Sequence, residues 1–236
     1  MTHARAEART AESRKGRNRF ILTVVIVVVV VILVIVAGIA LTHSSAETAA
    51  ETQFLAQVAA SRVGALVSVS LALNWVFSPP IALIVGLIAT AGVFAVTRSW
   101  VTVLHFVLLV LGTWLSSEVV KLIVHRPRPT ARLADSLVPN PDPDSYPSGH
   151  VCFAVGLGLA FFVLVIRSRV RVVVAVLAIL LALITAGTRV YLGIHYPTDA
   201  LASLVFGAAA FVGIEAIWRR YAGGIFRQKP AEPAIH

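Results

Sequence analysis

The chain has 236 residues, 58% hydrophobic and 13% charged, with a mean hydropathy of +0.88; soluble domains carry about a quarter charged residues, so an ordinary soluble fold is excluded and a polytopic membrane protein implied. The formal charge of +9 does not point to nucleic acid, because the basic residues fall in short groups at the ends of apolar runs, the pattern of membrane topology. The single cysteine, Cys152, excludes an intramolecular disulfide and a cysteine metal cage, and reads as a small buried apolar residue.

Residues 1–19 are polar and carry Arg5, Arg9, Arg14, Lys15, Arg17 and Arg19, followed by an apolar run from Phe20 to Leu41. About 20 apolar residues span a bilayer, whereas a cleaved leader has a shorter core and a small-residue cleavage site. The run is therefore expected to be a retained anchor with a cytoplasmic basic tail before it. Further spans are expected at Pro80 to Val96, Trp100 to Val124, His150 to Ile166, Val172 to Ala186 and Ala200 to Trp218, six in all. With this count Arg98, the Arg167, Arg169 and Arg171 group, and Arg219, Arg220, Arg227 and Lys229 all become cytoplasmic. Residues 221–236 form a second cytoplasmic tail.

Val63 to Phe77 is short for a span and contains Asn74 and several serines; counting it would reverse the basic groups. Glu47 to Phe77 is instead predicted to be mostly helical, lying along or dipping into the outer interface before Ser78-Pro79-Pro80 turns the chain inward. The expected fold class is all-α: six transmembrane helices plus an interfacial helical segment, one unit over 20–220 with its chemistry in 121–199.

Three polar clusters then fall on the outer side at one depth. Lys121 lies inside the apolar end of the third span, where an unpaired ammonium costs about 3 kcal/mol and an anionic ligand would offset that cost. His125, one turn on, reads as structural or interfacial. Pro127 and Pro129 end the helix and hold Arg126 and Arg128 extended. Arg128 is the better phosphate candidate, as a planar bidentate donor opposite the compact lysine charge. Arg132 reads as a headgroup contact, and Asp135, Asp142 and Asp144 read as solvated rather than as a magnesium cluster.

Pro147-Ser148-Gly149-His150 opens the fourth span. Ser148 reads as an N-cap, leaving the amides of Gly149, His150 and Val151 as donors at a positive helix end, while glycine lets a ligand approach the backbone. The third cluster is Thr188-Arg189 followed by His195-Tyr196-Pro197-Thr198-Asp199. Pro197 suits the first turn of the sixth span, which puts Asp199 where its side chain can reach back toward His195. A carboxylate on one imidazole nitrogen leaves the other basic, as an oriented nucleophile or base.

Taken together, Lys121-x6-Arg128-Pro129, Pro147-Ser148-Gly149-His150 and Arg189-x5-His195-x3-Asp199 resemble the three-part signature of the type 2 phosphatidic acid phosphatase superfamily. The third part usually begins Ser-Arg; here Thr188 keeps the hydroxyl. The resemblance implies an integral-membrane lipid phosphatase or diphosphatase with its site at the outer face of the plasma membrane. It implies that His195 attacks phosphorus to form a phosphohistidine, that Asp199 orients it, and that His150 protonates the leaving oxygen. Lys121, Arg128, Ser148, Gly149 and Arg189 would hold the phosphoryl oxygens, with no metal and no cofactor. The residue chemistry agrees, since phosphoryl transfer asks mainly for positioning and charge stabilisation, and two histidines in opposite protonation states supply nucleophile and acid.

Size, spans and outward site resemble bacterial members that recycle undecaprenyl diphosphate, with phosphatidylglycerophosphate and phosphatidate as alternative substrates. The partners implied are the bilayer and a lipid phosphate, with no nucleic acid; the oligomeric state is not legible. Vanadium-dependent haloperoxidases share the motifs but are soluble, which argues against them. A non-catalytic lipid-binding or transport protein would be marked by loss of a histidine, and both His150 and His195 are present.

Overall fold

The computed structural model of the chain describes residues 2–129, 135–139 and 142–222. The described residues form α1 (Thr2–His43), α2 (Ser45–Ala60), α3 (Gly64–Val76), α4 (Pro79–Thr97), α5 (Trp100–Val124), α6 (Gly149–Val165), α7 (Arg171–Tyr191) and α8 (Pro197–Ile217), the last continued by a π-helical turn, Trp218–Ala222. Among them the β pairing is an isolated antiparallel bridge, Pro127 with Asp144. Arg132, Arg227 and Lys229, and the tail from 223 onward, lie outside the described residues.

Helix boundaries follow local chemistry. Proline occupies the first positions of α4 and α8, where its missing N–H costs nothing. Ser99 caps α5 through its side chain, accepting from the Thr102 amide at 3.3 Å. The same helix stops at His125, which turns left-handed (φ 48°) and donates its amide to the Lys121 carbonyl at 3.0 Å, just ahead of Pro127.

Five segments are long and apolar enough to cross a membrane: Arg14–His43, Pro79–Thr97, Trp100–Val124, Arg171–Tyr191 and Pro197–Ala222. The remaining expected span, α6, is a shorter apolar helix of 17 residues and covers about 25 Å at 1.5 Å per residue, the short end of the spanning range. It is the central helix, buried along most of its length by α5, α7 and α8. Small residues permit that: a Cβ on Gly158 would lie 2.9 Å from the Ala178 Cβ, and one on Gly156 3.1 Å from the Thr113 Cβ, so glycine lets both neighbours close in. Phe77, Phe106 and Phe211 cluster with Phe153 of α6 itself, while Leu87, Leu122 and Val172 point outward, as lipid-facing side chains do.

The segment expected to be interfacial is two helices, α2 and α3, bent by 119° at the break between them; taken together the pair is also long and apolar enough to count as one further crossing. The C-terminal ends of α5 and α7 and the N-terminal ends of α6 and α8 meet at one end of the bundle. At the opposite end lie Arg98, Arg167, Arg169, Arg171, Arg219 and Arg220, by the bounds of their helices. There Glu215 holds His105 and Arg219, each at 2.5 Å, and His105 stacks on Trp218 at 4.6 Å.

Candidate functional site

The converging helix ends enclose a cavity of about 360 Å³. Its polar wall carries Lys121, Arg128, His150, His195, Glu118 and Asp142; Phe77, Pro79 and Trp114 form an apolar side, and Gly149 lines the helix end. The extended stretch after α5 is held by pairing with 143–145: the Ser145 amide donates to the Arg126 carbonyl at 2.8 Å and the Arg128 amide to the Pro143 carbonyl at 3.2 Å. This pairing aims the Arg128 side chain inward.

Arg128 Nη1 lies 2.9 Å from His195 Nε2 and donates to the Ile194 carbonyl at 2.8 Å. A guanidinium has no acceptor, so Nε2 must carry the lone pair and the imidazole proton sits on Nδ1. On that side Asp199 Oδ2 stands 3.5 Å from Nδ1, close but not hydrogen-bonded, since Nδ1 has no hydrogen-bond partner among the described residues. The same oxygen accepts the Tyr196 amide at 2.9 Å, and Oδ1 accepts Arg126 Nη1 at 2.5 Å. Burial, then the charges of Arg128, Arg189 and Lys121, hold His195 well below the ordinary imidazole range. His195 is therefore neutral at physiological pH, with its basic nitrogen toward the cavity.

Gly149 and His150 open α6 at the cavity wall. Ser148 occupies the N-cap position but its hydroxyl caps nothing; its amide donates to Ser203 Oγ at 2.6 Å instead. Ser148 Oγ and His150 Nε2 are buried without a hydrogen-bond partner among the described residues. A Cβ on Gly149 would come within 2.8 Å of Glu118 Oε1 and 3.2 Å of Trp114 Nε1, so this close approach requires glycine.

Arg189 is fully buried at the end of α7 and donates to Asn74 Oδ1 of α3 at 2.7 Å. Its Nε and Nη2 have no partner among the described residues, an arrangement that costs free energy until an acceptor arrives. Thr188, where the family pattern has serine, donates its hydroxyl to the Thr185 carbonyl at 2.8 Å and so serves its own helix.

Asp142 departs from the solvated reading. Its Oδ2 accepts Lys121 Nζ at 2.5 Å and Arg128 Nη2 at 3.2 Å, and its carbonyl accepts Arg128 Nε at 2.7 Å. Burial pushes this carboxyl up, but the hydrogen bond and charge of Lys121, with Arg128, hold it below the ordinary carboxylate value. Glu118 is the second acid on Lys121, at 3.1 Å. Asp144 pairs with His125 at 3.1 Å, whereas Asp135, beside Arg62, keeps 74% of its side chain exposed. Two of the three cations expected to take an anion, Lys121 and Arg128, thus already hold one, because the pairing that aims Arg128 inward also brings Asp142 onto it.

Sequence reasoning missed four participants. Arg126 was ranked below Arg128 in the Arg-Pro-Arg-Pro run, yet it joins Asp199 to Glu51 of α2, the latter at 2.6 Å. Burial pulls the Arg126 guanidinium down, and the charges of Asp199 and Glu51 outweigh that and raise it. Asn74, a lone amide in an apolar helix, carried a signal that could have been followed. Glu51 and Glu118, single acids on helices, carried none that spacing could reveal.

Chemically, the arrangement offers two side-chain cations at a cavity wall, a third with unsatisfied donors behind it, a helix N-terminus, a neutral histidine with its lone pair inward, and a second histidine. That set suits a tetrahedral anion and its transfer.

The family model of the PAP2 superfamily matches residues 100–222. A solved structure described as the first transmembrane PAP2 type phosphatidylglycerolphosphate phosphatase, from Bacillus subtilis, superposes with a TM-score of 0.69 at 22% identity, covering 86% of this chain and 98% of that one; the likeness is one of fold. None of the curated proteins matches the sequence.

Proposed function

The chain belongs to the PAP2 superfamily, and from that premise we propose that this multi-pass membrane protein is a lipid phosphatase working through a phosphohistidine. The observation that carries the reading is the contact of Arg128 Nη1 with His195 Nε2 at 2.9 Å while Asp199 Oδ2 lies 3.5 Å from the opposite nitrogen. His195 Nε2 attacks phosphorus, the bond from phosphorus to the lipid oxygen breaks, and His150 gives that oxygen a proton. Water then attacks the phosphohistidine, returning a proton to His150 and releasing orthophosphate. Lys121, Arg128, Arg189, Ser148 and the amide of Gly149 hold the phosphoryl oxygens and balance the developing charge without a metal.

The basic residues at the end of the bundle away from the site support an outward-facing site in the plasma membrane, with both termini cytoplasmic. The geometry favours a phosphomonoester. Glu118 and Asp142 both stand on Lys121, so a second phosphate there would meet carboxylates rather than further cations. The structural neighbour, described as a phosphatidylglycerolphosphate phosphatase, supports the same choice. The second reading, a polyprenyl diphosphate, is favoured by the six-span size and outward site.

The test is phosphate release by detergent-purified protein, with chelator present, from phosphatidylglycerophosphate, phosphatidate and undecaprenyl diphosphate. Fastest chelator-resistant release from a monoester is expected. Fastest release from the diphosphate would select the second reading, and loss of release with chelator would contradict the metal-free mechanism.

A further inference from the structure

We propose that Arg126, held in turn by Glu51 of α2, is a positioning residue that fixes the Asp199 carboxylate against His195, so that α2 belongs to the catalytic apparatus. The inference rests on the phosphohistidine reading, in which Asp199 orients the nucleophile.

Arg126 has 1% of its surface exposed and Asp199 none. Its Nη1 donates to Asp199 Oδ1 at 2.5 Å and to Thr198 Oγ1 at 2.7 Å, and its Nη2 donates to Glu51 Oε2 at 2.6 Å. Glu51 Oε1 closes the ring by accepting the Thr198 amide and hydroxyl, each at 2.9 Å. The guanidinium carbon lies 4.3 Å over the Tyr196 ring, which fixes its plane. Arg126 does not line the phosphate cavity; it borders a separate cleft between α2 and Tyr196. Its effect on chemistry must therefore pass through Asp199.

Two consequences follow from this placement. With Oδ1 taken by Arg126 and Oδ2 by the Tyr196 amide, the carboxylate cannot rotate without breaking a charge-assisted bond, so Oδ2 stays toward His195 Nδ1. Charge balance explains why Glu51 is needed as well. Arg126 alone would neutralise Asp199 and weaken its pull on the imidazole proton; the second carboxylate shares the guanidinium and leaves the trio one negative charge that faces His195. A lysine at 126 would offer a compact charge without the planar fork that reaches two carboxylates at once. The role is specific to arginine.

The test uses full-length protein in detergent with dioctanoyl phosphatidate as substrate and orthophosphate as a competitive probe of the pocket. Arg126→Gln and Arg126→Lys should lower kcat about 10–100-fold, the scale for an outer partner of a reacting group, while KM and the orthophosphate inhibition constant stay within about threefold. Glu51→Gln, the milder change, should lower kcat with the same unchanged KM. Arg126→Gln added to Asp199→Asn should cost no more than Asp199→Asn alone, because the two act as a unit. Losses that multiply in the double variant, an inhibition constant that weakens as kcat falls, or full activity in Glu51→Gln would each overturn the role. Should Arg126→Gln fail to fold, Glu51→Gln decides by itself. His195→Ala run alongside separates the two readings: an active variant defeats the phosphohistidine, whereas an inactive one with multiplying losses defeats only the positioning role.

Discussion

Asp142→Asn should tighten binding of phosphate without touching the chemistry. In the structure Asp142 Oδ2 holds Lys121 Nζ at 2.5 Å and Arg128 Nη2 at 3.2 Å, so a phosphoryl group that takes both cations must first displace a carboxylate. The Asp142 side chain keeps 36% exposure, and solvent-screened pairs are worth about 0.2–1 kcal/mol each, so the two together oppose binding by about 1 kcal/mol. At 1.4 kcal/mol per decade that is about a fivefold effect. Asparagine keeps the backbone carbonyl that accepts Arg128 Nε, so the loop stays anchored. The orthophosphate inhibition constant is the cleaner readout, because KM equals a dissociation constant only when chemistry is slow. It should fall about fivefold, with kcat unchanged within about twofold. An inhibition constant that stays put or rises would refute the claim that Asp142 competes for the anion site.

Burial and the neighbouring cations lower His195, and since the nucleophile must be neutral, its activity persists as pH falls through the ordinary imidazole range and is lost only below it. A kcat/KM profile with its acid limb at or above pH of about 6.5 would contradict that sign. His150→Ala should lose least on aryl phosphates, whose leaving oxygen needs no proton, and most on alkyl phosphates; equal losses would count against the acid role. Gly158→Leu should lower the thermal midpoint in detergent, because even a Cβ there meets Ala178 at 2.9 Å and overpacking costs about 1–3 kcal/mol. An unchanged midpoint would show that α6 and α7 can separate freely.

Five of the expected spans were legible because each is a long apolar run with basic residues at one end, and Pro79, Pro127 and Pro197 marked boundaries that the helices respect. The clusters were legible because Lys121, Arg128, His150 and His195 are polar residues in places where solvation alone cannot account for them. What pattern could not supply was pairing across the chain. Glu51 and Arg126 are 75 residues apart, and nothing in either neighbourhood announces the other. Asp142 was misread for the same reason: a proline-flanked acid in a polar loop looks solvated until the Pro127 to Asp144 bridge folds it onto Lys121. Ser148 shows the converse, since it occupies the cap position its sequence predicts while its hydroxyl is left uncommitted.

The central claim is that phosphorus is transferred to His195. The most direct measurement is rapid quenching of the purified protein during turnover of dioctanoyl phosphatidate, followed by mass spectrometry of the peptide that contains His195. The account predicts a phosphoryl adduct on His195, labile to acid and stable to base, that disappears in His195→Ala together with phosphate release. An adduct on another residue, or undiminished release by His195→Ala, would contradict it.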